Sequence, residues 1–239
     1  MLTLAKQAIR RTAAHFGYTV RHVGDGRGIT GVDALEDIRV RLGAKTDAML
    51  FDVGANDGDV TAGFLSTFAN PRIIAFEPSP RPFTGLKALY GGHANVRLEN
   101  VALADREGTA TFHVTRDYSV NDSLLDPVWN ANAHDIEVLV QTVDGYCERE
   151  HIQSVDLLKI DTQGNDLNVL RGASRMLDAR LISLYLVEVM FVPMYAGQPT
   201  LADFLAFAEE HDYRLMGLYE QTYVRNRLGY LNACFEQAN

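Results

Sequence analysis

The chain has 239 residues, 47% hydrophobic and 22% charged, the balance of a globular protein with room for one large core. A net charge of −9 argues against a broad nucleic-acid surface, and two cysteines, Cys147 and Cys234, without a partner pattern argue against a disulfide framework or a zinc site. No apolar run approaches the ~20 residues that span a bilayer, and Lys6, Arg10 and Arg11 interrupt the N-terminus too soon for a secretory signal, so a cytoplasmic location is expected.

Residues 1–45 stand apart. They carry eight bases against four acids, a balance of +4 that leaves −13 for residues 46–239 out of the total of −9. Leu2, Ala5, Ile9, Thr12 and Phe16 follow a 3-4 spacing, with Lys6, Arg10 and Arg11 on the other side, which predicts a helical appendage to a domain that begins at residue 46. Such a helix packs on its own domain or on a second subunit, so a homo-oligomer is compatible with it. The alternative is peripheral contact of residues 1–23 with anionic lipid; one Phe and four Lys/Arg before Asp25 favour the first reading.

From Met49 onward strand-like and helix-like stretches alternate. "MLFDV" predicts a strand buried on both faces, and Val60, Phe64 and Phe68 a helix after it. The turn between them, "DVGANDGD", lacks the third glycine of a dinucleotide fingerprint, since Asn56 and Asp59 stand where glycines would. Gly54 lets a ligand approach the backbone closely, and Gly58 reaches dihedrals closed to other residues. Asp52, Asp57 and Asp59 suit pyrophosphate poorly at a helix N-terminus and suit a cationic ligand well, S-adenosylmethionine being one.

The next run, "RIIAFE", ends in Glu77, about 20 residues beyond the glycine turn, where a carboxylate grips ribose hydroxyls; Pro78 then turns the chain. "NVRLENVALAD" predicts a third strand, placing Asn100 and Ala102 toward an adenine. "TATFHV" and "EVLVQTV" predict extra strands around a polar loop, 115–135, long enough to suggest function. Asp117, Tyr118, Asn121, Asp122 and Ser123 suit a carbohydrate there, and His113 and His134 flank it as candidate bases.

"VDLLKID" predicts a buried strand ending in Asp161, with Lys159 on the same face through the period of two, and Leu167, Leu170, Ala173 and Leu177 predict a helix beyond it. "LISLYLVEV" carries Glu188 at its end. A capping box at Thr200 and Asp203 then opens a helix through Leu201, Phe204, Leu205 and Ala208. "YRLMGLY" and "YLNACFE" predict a closing antiparallel pair.

In this order, "FDVGANDGDVT", "AFEPSP", "NVALAD", "VDLLKIDTQGND…VLRGA" and "LVEV" resemble the FkbM-type family of S-adenosylmethionine-dependent methyltransferases, from about Met49 to the C-terminus. The resemblance implies a class I methyltransferase fold, a Rossmann-like, mostly parallel seven-stranded sheet with helices on both faces. It also implies methyl transfer to a hydroxyl of a glycan or a related natural product. Its cofactor positions fall on Asp52, Gly54, Asn56, Gly58, Thr61 and Glu77, with Pro78, Asn100 and Ala102 beside them. At two positions where the family commonly has acids of its own pattern, this chain has Gln163 and Asp166.

Transfer to a poorly nucleophilic hydroxyl benefits from a base. Asp161 and Glu188 are the candidates at the carboxyl ends of their strands, with Lys159 as a tuning partner and His134 and His113 as substitutes. The two acids with Asp166 or Asn165 also suit Mg²⁺, though no ligand spacing demands a metal. Two rivals stand beside the enzyme reading: a non-catalytic S-adenosylmethionine-binding scaffold in a glycan-assembly complex, and a nicotinamide-dependent oxidoreductase.

Overall fold

The computed structural model describes residues 12, 13, 15, 31–43, 45–115, 121–128 and 133–238. Of the appendage predicted over residues 1–45, the stretch 1–23 lies outside them except for residues 12, 13 and 15, and Asp117 and Tyr118 lie outside them too. Seven strands build the main sheet: β1 (Met49–Val53), β2 (Arg72–Phe76), β3 (Val96–Glu99), β7 (Val155–Ile160), β8 (Ile182–Met190), β9 (Tyr213–Val224) and β10 (Arg227–Gln237). Their order is β3-β2-β1-β7-β8-β10-β9, parallel from β3 to β8, with β10 antiparallel to both neighbours. Order reverses between β1 and β7, and a crevice outside the carboxyl ends of strands at such a reversal is where open α/β sheets bind ligands.

The unbroken apolar runs follow from this position. All five residues of β1 and all six of β7 are buried, because helices cover both sheet faces. Leu50, Leu157 and Leu186 face α1 (Ala34–Arg41) and α2 (Asp59–Thr67), which supply Ala34, Ile38 and Phe64. On the opposite face Phe51, Leu158 and Tyr185 meet α4 (Val143–Arg149), α5 (Asp166–Arg171), α6 (Ser174–Asp178) and α7 (Leu201–Glu210). α1, grouped with the N-terminal segment by sequence, is locked to the sheet by Asp37, which accepts a hydrogen bond from Tyr219 Oη (3.1 Å).

Three segments differ from the sequence reading. "NVRLENVAL" is two strands: β3 ends at Glu99, and β4 (Ala102–Leu103) joins a second sheet of order β4-β6-β5 with β5 (Gly108–Thr115) and β6 (Ala133–Gln141). The helix expected from Leu167 to Leu177 breaks at Gly172, where a Cβ would come within 2.0 Å of Ala104 O. Asp144 restarts it from outside, accepting from the amides of Arg175 (2.8 Å) and Met176 (3.0 Å) as a cap borrowed from α4. α3 (Pro80–Tyr90), a helix that the sequence reading did not place, buries only Pro82 and Leu86.

The capping box at Thr200 and Asp203 is present, with Thr200 also receiving the Asp203 amide. Arg225 and Asn226, both at positive φ, form the two-residue turn between β9 and β10 as a type I′ hairpin requires.

Gly172 offers a clean test of close packing, because its φ of −69° suits alanine and only the approach to Ala104 O forbids a side chain. Gly172→Ala should destabilise the domain by about 1–3 kcal/mol in urea denaturation. An unchanged midpoint would mean that the junction between the two sheets yields freely.

Candidate active site

A cleft opens at the carboxyl ends of β1 and β7. Its floor is the glycine turn after β1, where the amides of Gly54 and Ala55 both donate to Phe76 O at 3.0 Å. Gly54 has φ 76°, and a Cβ there would lie 1.9 Å from Asp161 O. The absent side chain therefore makes room for the backbone of the β7 turn, and Gly54 also lines the cleft.

Beneath the turn Asp52 is fully buried and ion-paired to Lys159 Nζ at 3.0 Å. Thr61 Oγ1 donates to Asp52 (2.7 Å), and Lys159 also donates to Gly54 O (3.1 Å). Burial opposes the charge on Lys159, but the carboxylates of Asp52 and Asp161 outweigh it and hold the ammonium's pKa above its ordinary value. Asp52 and Thr61 thus brace the turn from below and do not line the cleft, and Lys159 pairs with Asp52 while its charge also acts on Glu188. Gly58, at φ 89°, caps α2 and packs on Leu86 and Tyr90. Asp57 is exposed.

Glu77 lines the cleft with both carboxyl oxygens fixed: Oε2 accepts from Asn56 N–H (2.8 Å) and Oε1 from Ser79 N–H (2.7 Å). Burial pushes its pKa up to about 7, against the lowering effect of those amides, and Asp122 adds to the rise. Asn100 does not reach toward an adenine. Its amide donates to the carbonyls of Glu77 (2.8 Å) and Pro78 (3.2 Å) and so holds the carboxylate-bearing turn. Pro78 and Ala102 line the cleft with Val101, Leu103, Phe112 and Leu124. These side chains form an apolar slot that fits a flat heteroaromatic ring.

Asp122, from the loop after β5, closes this end. It accepts from Ser79 Oγ (2.8 Å) and from the amide and hydroxyl of Thr115 (2.7 and 3.0 Å). Phe112 on β5 and Leu124 in the loop after it have no signature in the sequence, because the docking of that strand and loop over the cleft is not a local pattern.

The other end is acidic. Asp161 lines the cleft half-buried, and its Oδ1 accepts from Gln163 Nε2 at 2.9 Å; the same nitrogen donates to Glu188 Oε2 at 3.1 Å. Asp166, fully buried, accepts from Thr162 Oγ1 (3.0 Å), Thr162 N–H (3.3 Å) and Glu188 N–H (3.3 Å). Burial, then the charge of Asp161, raises Asp166 to about 7. Burial with Asp161 and Asp166 raises Glu188 to about 9.

The histidines lie elsewhere. His113 is engaged at both ring nitrogens, with Asp135 at 2.7 Å and Asp126 at 3.1 Å, and His134 is exposed on β6; neither lines the cleft. Asn165, weighed as a metal ligand, spends its amide on Leu103 O (3.1 Å). Among the described residues no group of three or more His, Cys, Asp or Glu is arranged to hold a metal ion, and no helix is long and apolar enough to cross a membrane.

A sequence model of the methyltransferase FkbM domain matches residues 52–215. The 2-O-methyltransferase NoeI of Sinorhizobium fredii is 28% identical over 151 residues, 58% of this chain and 62% of NoeI. Among solved structures, methyltransferase FkbM from Methylobacillus flagellatus KT aligns with a TM-score of 0.51 at 16% identity, over 79% of this chain and 44% of that one. Magnesium protoporphyrin IX methyltransferase (ChlM) from Synechocystis PCC 6803, solved with bound S-adenosylmethionine, aligns at 0.52 with 8% identity, over 85% and 76% of the two chains. At these identities the structural likeness establishes the class I methyltransferase fold. The chain spans less than two thirds of the length of NoeI and of the Methylobacillus protein.

Glu77, Asp166 and Glu188 make stability pH-dependent. Their carboxyls ionise near 4.5, 3.8 and 4.5 in ordinary surroundings, so between those values and about 7, 7 and 9 the folded protein holds more protons than the unfolded chain. Stability is therefore greatest at the acid side of this window and falls as pH rises, through Glu188 up to about 9. Glu188→Gln, which keeps the uncharged shape, should flatten the urea midpoint above about pH 7 while the parent continues to fall. Parallel profiles would show that Glu188 holds no proton there.

Proposed function

The chain belongs to the FkbM methyltransferase family, and on that premise we propose that it is an S-adenosylmethionine-dependent O-methyltransferase acting on a hydroxyl of a saccharide or related natural product. The observation that carries the cofactor assignment is Glu77, a buried carboxylate held by two backbone amides beside an apolar slot. Its remaining lone pairs suit the two ribose hydroxyls, the slot suits adenine, and the turn 54–56 suits the methionyl end. The hydroxyl acceptor is supported by the acidic end of the cleft and by the 2-O-methyltransferase named among the relatives.

Bound S-adenosylmethionine would supply a methyl carbon activated by a sulfonium. The protein's part is then to hold an acceptor oxygen in line with that carbon, which is worth up to ~7–11 kcal/mol, and to remove its proton. Asp161 is the base in this reading. Its Oδ1 is tied to Gln163, and Oδ2 would take the acceptor's proton as the methyl carbon bonds to that oxygen and its bond to sulfur breaks, the electron pair leaving with the neutral thioether. Burial and the neighbouring acids raise Glu188 to about 9, so at neutral pH it sits uncharged beside Asp161 and does not repel the charge that Asp161 carries before the transfer.

Two substitutions separate binding from chemistry. Glu77→Ala should weaken S-adenosylmethionine and S-adenosylhomocysteine in calorimetry by ~1.5–3 kcal/mol while the protein still melts cooperatively. Equal affinity in a folded variant, or tighter binding of NAD by the parent, would overturn the cofactor assignment. With an acceptor found by screening nucleotide sugars and glycans for the mass of one added methyl, Asp161→Asn should keep cofactor affinity and lower kcat by ~10²–10⁴-fold. The deficit should shrink for a more acidic acceptor hydroxyl; an undiminished rate would remove Asp161 as base.

A further inference from the structure

Gln163 stands in the turn between β7 and α5 with φ 54°, and Gly164 follows at φ 90°. The left-handed region is one that a side chain disfavours and glycine enters freely. Local backbone preference at position 163 is thus for glycine, and strain of this kind is kept where the surroundings hold it in place. What holds it is a fully used amide. Nε2 donates to Asp161 Oδ1 at 2.9 Å and to Glu188 Oε2 at 3.1 Å, while Oε1 accepts from Tyr195 Oη at 3.3 Å. The main chain is fastened too, since Gln163 O accepts from Ser123 Oγ at 2.8 Å.

We propose that Gln163 is the positioning residue of the methyl-transfer end: its amide fixes Asp161 and Glu188 as one carboxyl pair, in register with the loops that carry Ser123 and Tyr195. This rests on the reading of Asp161 as base. The two loops are themselves joined, by Val128 N–H to Met194 O (2.9 Å) and Ala196 N–H to Asp126 O (2.8 Å). The single Tyr195 Oη proton is shared between Gln163 Oε1 and Asn121 O, which lies at 3.0 Å. An acceptor entering between the loops and the cleft therefore meets acids whose aim is set through one side chain.

The same contact sets the charge balance of the pair. Glu188 is faced by Asp161 and Lys159 from β7, by Asp166 from α5 and by Tyr195 from the following loop. Against burial and the neighbouring acids, the Gln163 N–H is one of the contacts that favour the ionised form of Glu188.

The test uses the full chain, two variants and S-adenosylhomocysteine as the probe ligand. Gln163→Gly removes the amide and relieves the backbone; Gln163→Leu removes the amide and keeps the bulk. Gln163→Gly should still melt cooperatively, because relief of the left-handed backbone offsets part of what the lost hydrogen bonds cost. Gln163 lines the same cleft as Glu77, and both variants should nonetheless lose less S-adenosylhomocysteine affinity than Glu77→Ala, because Glu77 and its two amide donors are untouched. In ¹³C carboxyl spectra, with the Glu188 resonance identified by Glu188→Gln, the Glu188 midpoint should move upward by about half a pH unit or more in both variants. Methyl transfer to the acceptor found by screening should fall by about tenfold or more in kcat, with its pH profile displaced in the same sense.

An unmoved Glu188 midpoint in both variants would overturn the proposal. So would a loss of S-adenosylhomocysteine affinity as large as that of Glu77→Ala, which would make Gln163 part of the cofactor site. If the midpoint moves while Asp161→Asn turns over at full rate, the base assignment falls and the positioning role of Gln163 stands.

Discussion

Everything at the cleft depends on one buried ion pair. Asp52 and Lys159 are register partners on β1 and β7, the two strands between which the sheet order reverses. Burying two charges is expensive, and a hydrophobic pair of similar volume often serves stability as well or better. Here the pair does something leucine cannot. Its ammonium bonds the carbonyl of Gly54 and its carboxylate receives Thr61, so β1, β7, α2 and the glycine turn are fixed relative to one another. The floor of the cleft inherits that rigidity, and the β7 turn can pass within contact of Gly54 only because the two strands keep this register.

The pair also explains the acidic end. The charge of Lys159 is already balanced by Asp52, yet Asp161, Asp166 and Glu188 stand around the same strand end. Three further negative charges would go largely uncompensated in a half-dry site, so protons are retained instead. Glu188, which has burial and two acids against it, rises furthest. A carboxylate beside a carboxylic acid is what differs chemically from a cluster of three anions: the first can accept a proton while the second neighbours it without repulsion. The same reasoning weakens a metal reading, because the oxygens of Asp166 are occupied by Thr162 and by the amide of Glu188.

The sequence displayed what depends on periodicity and on short fixed spacing. The buried runs of β1, β7 and β8, the carboxylate at the end of β2, and the capping box of α7 all carry local signatures. Residues whose roles arise from distant contacts had none. Asp52 and Thr61 looked like ligand contacts because they sit in the motif, although a fully buried Asp52 faces Lys159, a partner more than a hundred residues away. Asn100 reads as an adenine contact on spacing alone, and its amide instead closes a ring with the carbonyls of residues 77 and 78. Phe112 and Leu124 belong to the second sheet and its loop, whose docking over the cleft no local pattern records. His113 and His134 were plausible by titration chemistry alone, and strand alternation and two aspartates take them out of reach.

One feature of the site recurs at both of its ends. Asn56 and Gln163 follow the two strands flanking the sheet reversal, and both adopt left-handed conformations without being glycine, at φ 43° and 54°. Asn tolerates that region better than most residues, Gln less so. In each case the bend aims an N–H at an acid: the backbone amide of Asn56 at Glu77, and the side-chain amide of Gln163 at Asp161 and Glu188. The sheet supplies strand ends in fixed register, but strand ends alone point their carboxylates wherever rotamers allow. A bent residue in the turn that follows each strand converts register into the orientation of individual oxygens, with Glu77 fixed at one end and the pair Asp161 and Glu188 at the other. Glycine at either position would relax the backbone; at 163 it would also leave the acids without their donor, so the strain at both bends and the geometry of the cleft have a common origin.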